Sequence, residues 1–70
     1  MSYTSKKDSI HNICKSLSEE AVAVIRLSYR IEDAKNNPTM AEHNQYMSMR
    51  SQSVENIQAL AEILETLINS

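Results

Sequence analysis

The sequence predicts an all-α protein: a two-helix antiparallel hairpin, completed by packing against a partner protein or a second copy. Three observations predict it. The 70 residues contain no glycine and a single proline, Pro38. Apolar residues return at helical spacing on both sides of that proline. The stretch NNPT, residues 36–39, holds a helix-ending signal, a breaker and a helix-starting signal in succession. The expected layout is one domain over 1–70, with a first helix over about 6–36, a corner over 36–39 and a second helix over about 39–68.

The first helix is expected to start from a cap at Ser5. Asp8 follows three residues later, which is the spacing in which side chains satisfy the free backbone N–H groups of a first turn. Ile10, Leu17, Val24 and Ile31 then recur every seven residues, with Ile13, Cys14, Ala21 and Ser28 filling the same stripe. Lys15, Glu19, Arg26 and Arg30 fall on the opposite side. That pattern is an amphipathic helix.

The corner follows from backbone chemistry. Asn36 and Asn37 tolerate the left-handed conformation that ends many helices, and Pro38 pushes Asn37 out of helical geometry. Thr39 with Glu42 three residues on completes a capping box for the next helix. A connection this short sets the helices side by side and antiparallel.

On the second helix Tyr46, Ile57, Leu60, Ala61, Leu64, Leu67 and Ile68 share one face. Met47 and Val54 flank it on one side, Met49 and Ile63 on the other. Ser48, Ser51, Glu55, Gln58, Glu62 and Thr66 form the wet face. Folding at Pro38 brings Ile31 to Tyr46 and Met47, Leu17 to Ile57, and Ile10 to Leu64. The expected seam is therefore Ile10, Leu17, Val24 and Ile31 against Tyr46, Ile57, Leu60 and Leu64.

Two facing helices bury one narrow seam, for which an a/d stripe suffices. The apolar arcs here are wider. Val22, Ile25 and Tyr29 extend the first, and Ile63 with Leu67 the second. These five are the expected partner-binding residues, because an exposed apolar patch on a small protein marks an interaction site.

Composition excludes other classes. A chain this short buries proportionately little surface and needs a staple or a partner. Cys14 is the only cysteine, so no disulfide forms within the chain, and a reducing, cytoplasmic setting is expected. Cys14 itself reads as a small apolar residue on a helix face. A formal charge of −2 gives no basic footprint for nucleic acid. No apolar run reaches the ~20 residues of a membrane span, and the start MSYTSKKDSIHN lacks the hydrophobic region of a signal peptide.

No catalytic, cofactor-binding or metal site is expected. His11 and Cys14 sit at a zinc-compatible spacing, but His43 falls at the other end of the hairpin and no further ligand converges. Glu19 with Glu20, and Glu32 with Asp33, are adjacent pairs pointing apart, hence surface charges rather than an acid–base couple. Without glycine there is no phosphate loop. Met47 and Met49 are expected to pack. Arg50 falls within the apolar face, where it must snorkel, pair with an acid or reach a partner.

The segment QYMSMRSQSVENIQALAEILETL, about a third of the chain, resembles the C-terminal helix of the small E-type co-chaperones of bacterial type III secretion needle subunits (the YscE/PscE/EscE-like group). Gln45, Tyr46, Ser53, Ala59, Ala61 and Ile63 carry the resemblance; the first helix matches only in length and pattern. It implies a cytoplasmic helical hairpin that binds a tetratricopeptide-like chaperone. Through that chaperone it would help keep the needle subunit soluble and monomeric before export. Alone, such a hairpin would pair with itself as a homodimer. Two other readings fit the pattern: the needle subunit itself, or a homodimeric four-helix bundle acting as a regulator or inhibitor.

Overall fold

The computed structural model describes the backbone of residues 3–36 and 40–70 and the side chains of residues 5–35 and 41–70. Helix α1 runs over Tyr3–Asn36 and helix α2 over Met40–Asn69, and no strand occurs among the described residues. At 1.5 Å per residue the 34 residues of α1 span about 51 Å, which accounts for the long axis of a 53 × 14 × 13 Å molecule. The radius of gyration is 16.1 Å, against ~11 Å for a compact domain of this length. The molecule is a rod one helix pair thick.

Specific contacts fix the antiparallel register. Near the corner the Arg30 guanidinium lies over the Tyr46 ring, 5.9 Å from its centroid. One turn further the Arg50 Nη1 donates to the Ser28 hydroxyl at 3.2 Å. At the open end the Lys6 Nζ donates to the Ser70 carbonyl at 2.8 Å. The offset between the helices stays almost constant over this length. Ile31 therefore faces Tyr46 as expected. Ile10 lies beside Ile68 rather than Leu64, and the same offset sets Leu17 level with Leu60 rather than Ile57. The sequence-derived register is about one turn short towards the open end, because it matched apolar residues without a contact to anchor it.

Burial follows a seven-residue repeat on both helices. On α1 the inward positions are Ile10, Ile13, Leu17, Glu20, Val24, Leu27, Ile31 and Ala34; on α2 they are His43, Tyr46, Arg50, Ser53, Ile57, Leu60, Leu64 and Leu67. Alternating steps of three and four are the signature of a coiled-coil seam. All eight expected seam residues lie in it. Only Leu27, Ile31 and Ala34 are buried; the rest are half-buried, and no described side chain is fully enclosed. The firmest packing thus lies near the corner.

Several expectations change. α1 begins at Tyr3, so Ser5 lies inside its first turn and does not cap it. The helix persists to this point because α2 runs alongside as far as Asn69, giving the early residues a partner. Cys14 and Ala21 are exposed, while Leu27 and Ala34, absent from the expected stripe, are among the most buried residues. Glu20 is half-buried at a seam position rather than a free surface charge. Asn36 belongs to α1, and no described residue has positive φ. The Asn37, Pro38 and Thr39 expectations lie outside the described residues. Glu42 sits in the first turn of α2 and Lys35 in the last turn of α1, each with the sign that the helix dipole favours.

Arg50 resolves as a seam residue that meets no acid among the described residues. Besides Ser28, it reaches the Met47 sulfur at 3.4 Å. Ser28 in turn donates to the Val24 carbonyl at 2.8 Å, so a polar chain crosses the seam one layer from Leu27. A hydrogen bond to a cation in a half-buried setting contributes about 1 kcal/mol. Ser28→Ala is accordingly expected to cost about that much in a thermal melt. Arg50→Leu is expected to be neutral or stabilising, since apolar packing replaces a partly desolvated charge. A large loss in Arg50→Leu would mean that the guanidinium holds the register alone.

Candidate interaction surface

The seam leaves much apolar surface uncovered. The chain exposes 5469 Å², against about 4,400 Å² for a typical folded monomer of 7.9 kDa. The excess, roughly 1,000 Å², is of the size that one partner loses in a standard protein–protein interface, about 800 Å². A rod exposes more surface than a globule of equal mass, and its exposed large apolar residues are Val22, Ile25, Tyr29, Met47, Met49, Val54, Ile63 and Ile68.

These residues occupy two sides of the rod. On one side α2 presents Met47, Val54, Ala61 and Ile68 at seven-residue intervals, all exposed. Beside them α1 presents Cys14, Ala21 and Ser28 at the same interval, bounded by Lys7 and Lys35. Arg50 ties the two rows to one side, since it contacts both Ser28 and Met47. Ile68 shares an open hollow with Lys6, Lys7 and Ile10 at the far end. Ile25 and Tyr29 border this side, lining a shallow groove with Val24, Ser28 and Glu32. Between Lys7 and Lys35 the one charge that reaches the two rows is the Arg50 guanidinium, which touches Ser28 and Met47.

The other side is more polar. Val22, Ala23, Arg26, Arg30, Met49 and Gln52 line an open groove there, and Val22 also borders Glu19 and Arg26. Ile63 belongs to the same helical row as Met49, seven residues apart twice over, and is half exposed at 50 %.

The five expected partner-binding residues thus do not form one patch. Ile25 and Tyr29, 55 % and 71 % exposed, border the side of Met47 and Val54. Val22, seven residues before Tyr29 and so in the same outward row of α1, lines the polar groove, and Ile63 lies on that side as well. Leu67 is half-buried in the seam and is no surplus surface at all. The row Met47, Val54, Ala61, Ile68 was legible as a seven-residue apolar repeat. Reading α2 alone splits it, placing Ala61 and Ile68 on the main apolar face and Met47 and Val54 on its flank.

Among the described residues no group of three His, Cys, Asp or Glu side chains is placed to hold a metal ion. Cys14 and His11 are both exposed on α1, and His43 is half-buried near the corner. No buried side-chain nitrogen or oxygen among the described residues lacks a hydrogen-bond partner. No helix among them is long and apolar enough to cross a membrane. Comparisons with protein-family models, with curated proteins and with solved structures return no match.

Proposed function

We propose that this hairpin is a non-enzymatic protein-binding module of the cytoplasm, acting as a co-chaperone in type III secretion. Its partner is a tetratricopeptide-like chaperone, and the pair holds the needle subunit soluble and monomeric. The observation that carries the binding reading is the set of large apolar side chains that a thin seam leaves exposed, among them Ile25, Tyr29, Met47, Val54 and Ile68. The secretion reading rests on the resemblance in α2. Of the residues behind it, Tyr46 and Ser53 serve the seam, while Gln45, Ala59, Ala61 and Ile63 are exposed and free to meet a partner.

The mechanism is steric and hydrophobic. A rod with one unfinished side completes its burial on a helical-repeat protein and covers apolar surface there in return. Whatever binds only the folded partner stabilises it by mass action. The partner's own groove is then left to sequester the polymerising helix of the needle subunit.

Co-purification from the native host, with mass-spectrometric identification of what is retained, tests this. The expected result is a complex containing a helical-repeat chaperone and a short polymerising subunit held as a monomer. Filament growth on dilution of the hairpin itself would instead make it the needle subunit. A protein that captures neither would overturn the secretion reading.

A further inference from the structure

The geometry points to Arg50 as a docking cation: on the side of Met47 and Val54 it takes a carboxylate that a partner carries within the apolar face of a helix. The inference rests on the reading that this hairpin binds another protein, and it adds the chemistry of the occupant. Arg50 holds a seam position and is half-buried. Taking a guanidinium even partly out of water is costly unless a carboxylate or several good acceptors receive it.

The acceptors within the hairpin are poor. Nη1 donates to the Ser28 hydroxyl at 3.2 Å and Nη2 to the Met47 sulfur at 3.4 Å. A thioether accepts weakly, and a guanidinium carries five N–H donors in a flat fork. Neither contact brings a negative charge. Glu32, four residues on from Ser28, lines the groove of Ile25 and Tyr29 but does not pair with Arg50. The Met47 contact is exposed, so the fork is open to whatever covers that side.

The surroundings suit such a pair. Met47 and Val54 are exposed on α2 on either side of Arg50 in sequence, and Ser28 links the guanidinium to the groove of Ile25 and Tyr29 on α1. A helix seated there would shield the ion pair with apolar contacts on both flanks, the setting in which an arginine anchors an interface. Sign agrees as well: Lys7 and Lys35, exposed at the two ends of the neighbouring α1 row, are cations. A carboxylate matches the fork with two parallel hydrogen bonds, which an amide or a hydroxyl cannot make.

Two synthetic amphipathic peptides test the pairing whatever the native partner is. Each has about three heptads with leucine at the inward positions; one carries glutamate at the central inward position, the other glutamine. Titrated against the full chain, the glutamate peptide should bind about tenfold more tightly, and the difference should shrink as salt rises. Against Arg50→Leu the two peptides should bind alike. Arg50→Lys, which keeps the charge but not the fork, should keep only part of the difference. Arg26→Leu removes an exposed cation from the other side and should leave the difference unchanged. Circular dichroism checks that each variant stays helical. Equal affinity of the parent for both peptides, failure to bind either, or a preference that Arg50→Leu retains would overturn the proposal. Dimerisation of the chain alone that Val54→Asp abolishes would give the side to a second copy and equally overturn it. The secretion reading is judged separately. If co-purification retains no helical-repeat protein while the glutamate preference holds, that reading falls and the docking cation stands. A retained helical-repeat chaperone that binds Arg50→Leu as tightly as the parent would keep the reading and overturn the docking cation.

Discussion

Leu27→Ala is expected to lower the melting temperature by about 10–20 °C, the largest effect of any single apolar truncation in the hairpin. Leu27 sits in the buried layer with Ile31 and Ala34, next to the polar chain from Arg50 to Ser28. Truncating a buried leucine costs about 2–5 kcal/mol, and a rod this thin lets water or neighbours relax into the gap, which favours the lower end. Against that stands a total stability of only ~3–5 kcal/mol for a core this small. The variant would therefore lose half of its stability or more. Leu17→Ala, at a half-buried layer towards the open end, should cost about 1–2 kcal/mol, less than a fully buried site. Far-UV circular dichroism melts of both variants at one fixed concentration separate the two. If Leu17→Ala proved the more damaging, the firm layer would lie in the middle of the rod rather than near the corner.

The ranking of those two residues shows where sequence reading stopped. The seven-residue series Ile10, Leu17, Val24, Ile31 was unambiguous, and every member lies in the seam. Such a series leaves two candidate companion rows, three or four residues on. The row four on, Cys14, Ala21 and Ser28, looks uniformly small and mild. The row three on, Ile13, Glu20, Leu27 and Ala34, contains a glutamate and reads as broken. The structure buries the second row, because the position of α2 decides which side of the stripe is covered and a half-buried glutamate can extend its carboxylate past the rim. Periodicity gives the stripe, not the side on which its partner stands. The same ambiguity explains Leu67, which reads as surplus from α2 alone but lies half-buried in the seam. It also explains Arg50, whose acceptor is a serine on the other helix that no spacing rule within α2 would reveal. Surplus apolar surface is legible as a quantity, too many apolar residues for one seam, but not as a place.

Ile25→Asp is expected to weaken binding to a helical-repeat partner by about a hundredfold or more while leaving the hairpin folded. The first half of that statement follows from position. Ile25 borders the side of Met47 and Val54 and lines a groove with Val24, Ser28, Tyr29 and Glu32, so a protein lying on that side meets it directly. Burying an isoleucine contributes roughly 1.5–3 kcal/mol, and forcing a carboxylate into the same contact adds a desolvation cost. The second half follows from exposure. At 55 % exposed, Ile25 contributes little to the seam, and aspartate stays solvated in the free protein. Tyr29→Ala should act in the same direction, because a tyrosine 71 % exposed in isolation offers a ring to bury and a hydroxyl to pair at the interface. Ser48→Asp, on the wet face of α2, is the matching control and should change nothing. Titration of each variant against the purified partner, beside its circular dichroism spectrum, reads both halves. Unchanged affinity in Ile25→Asp with the fold intact would move the heteromeric interface across the rod to the groove of Val22 and Met49, on the side that also carries Ile63. Lost helicity would instead return Ile25 to the fold and remove it from the binding surface.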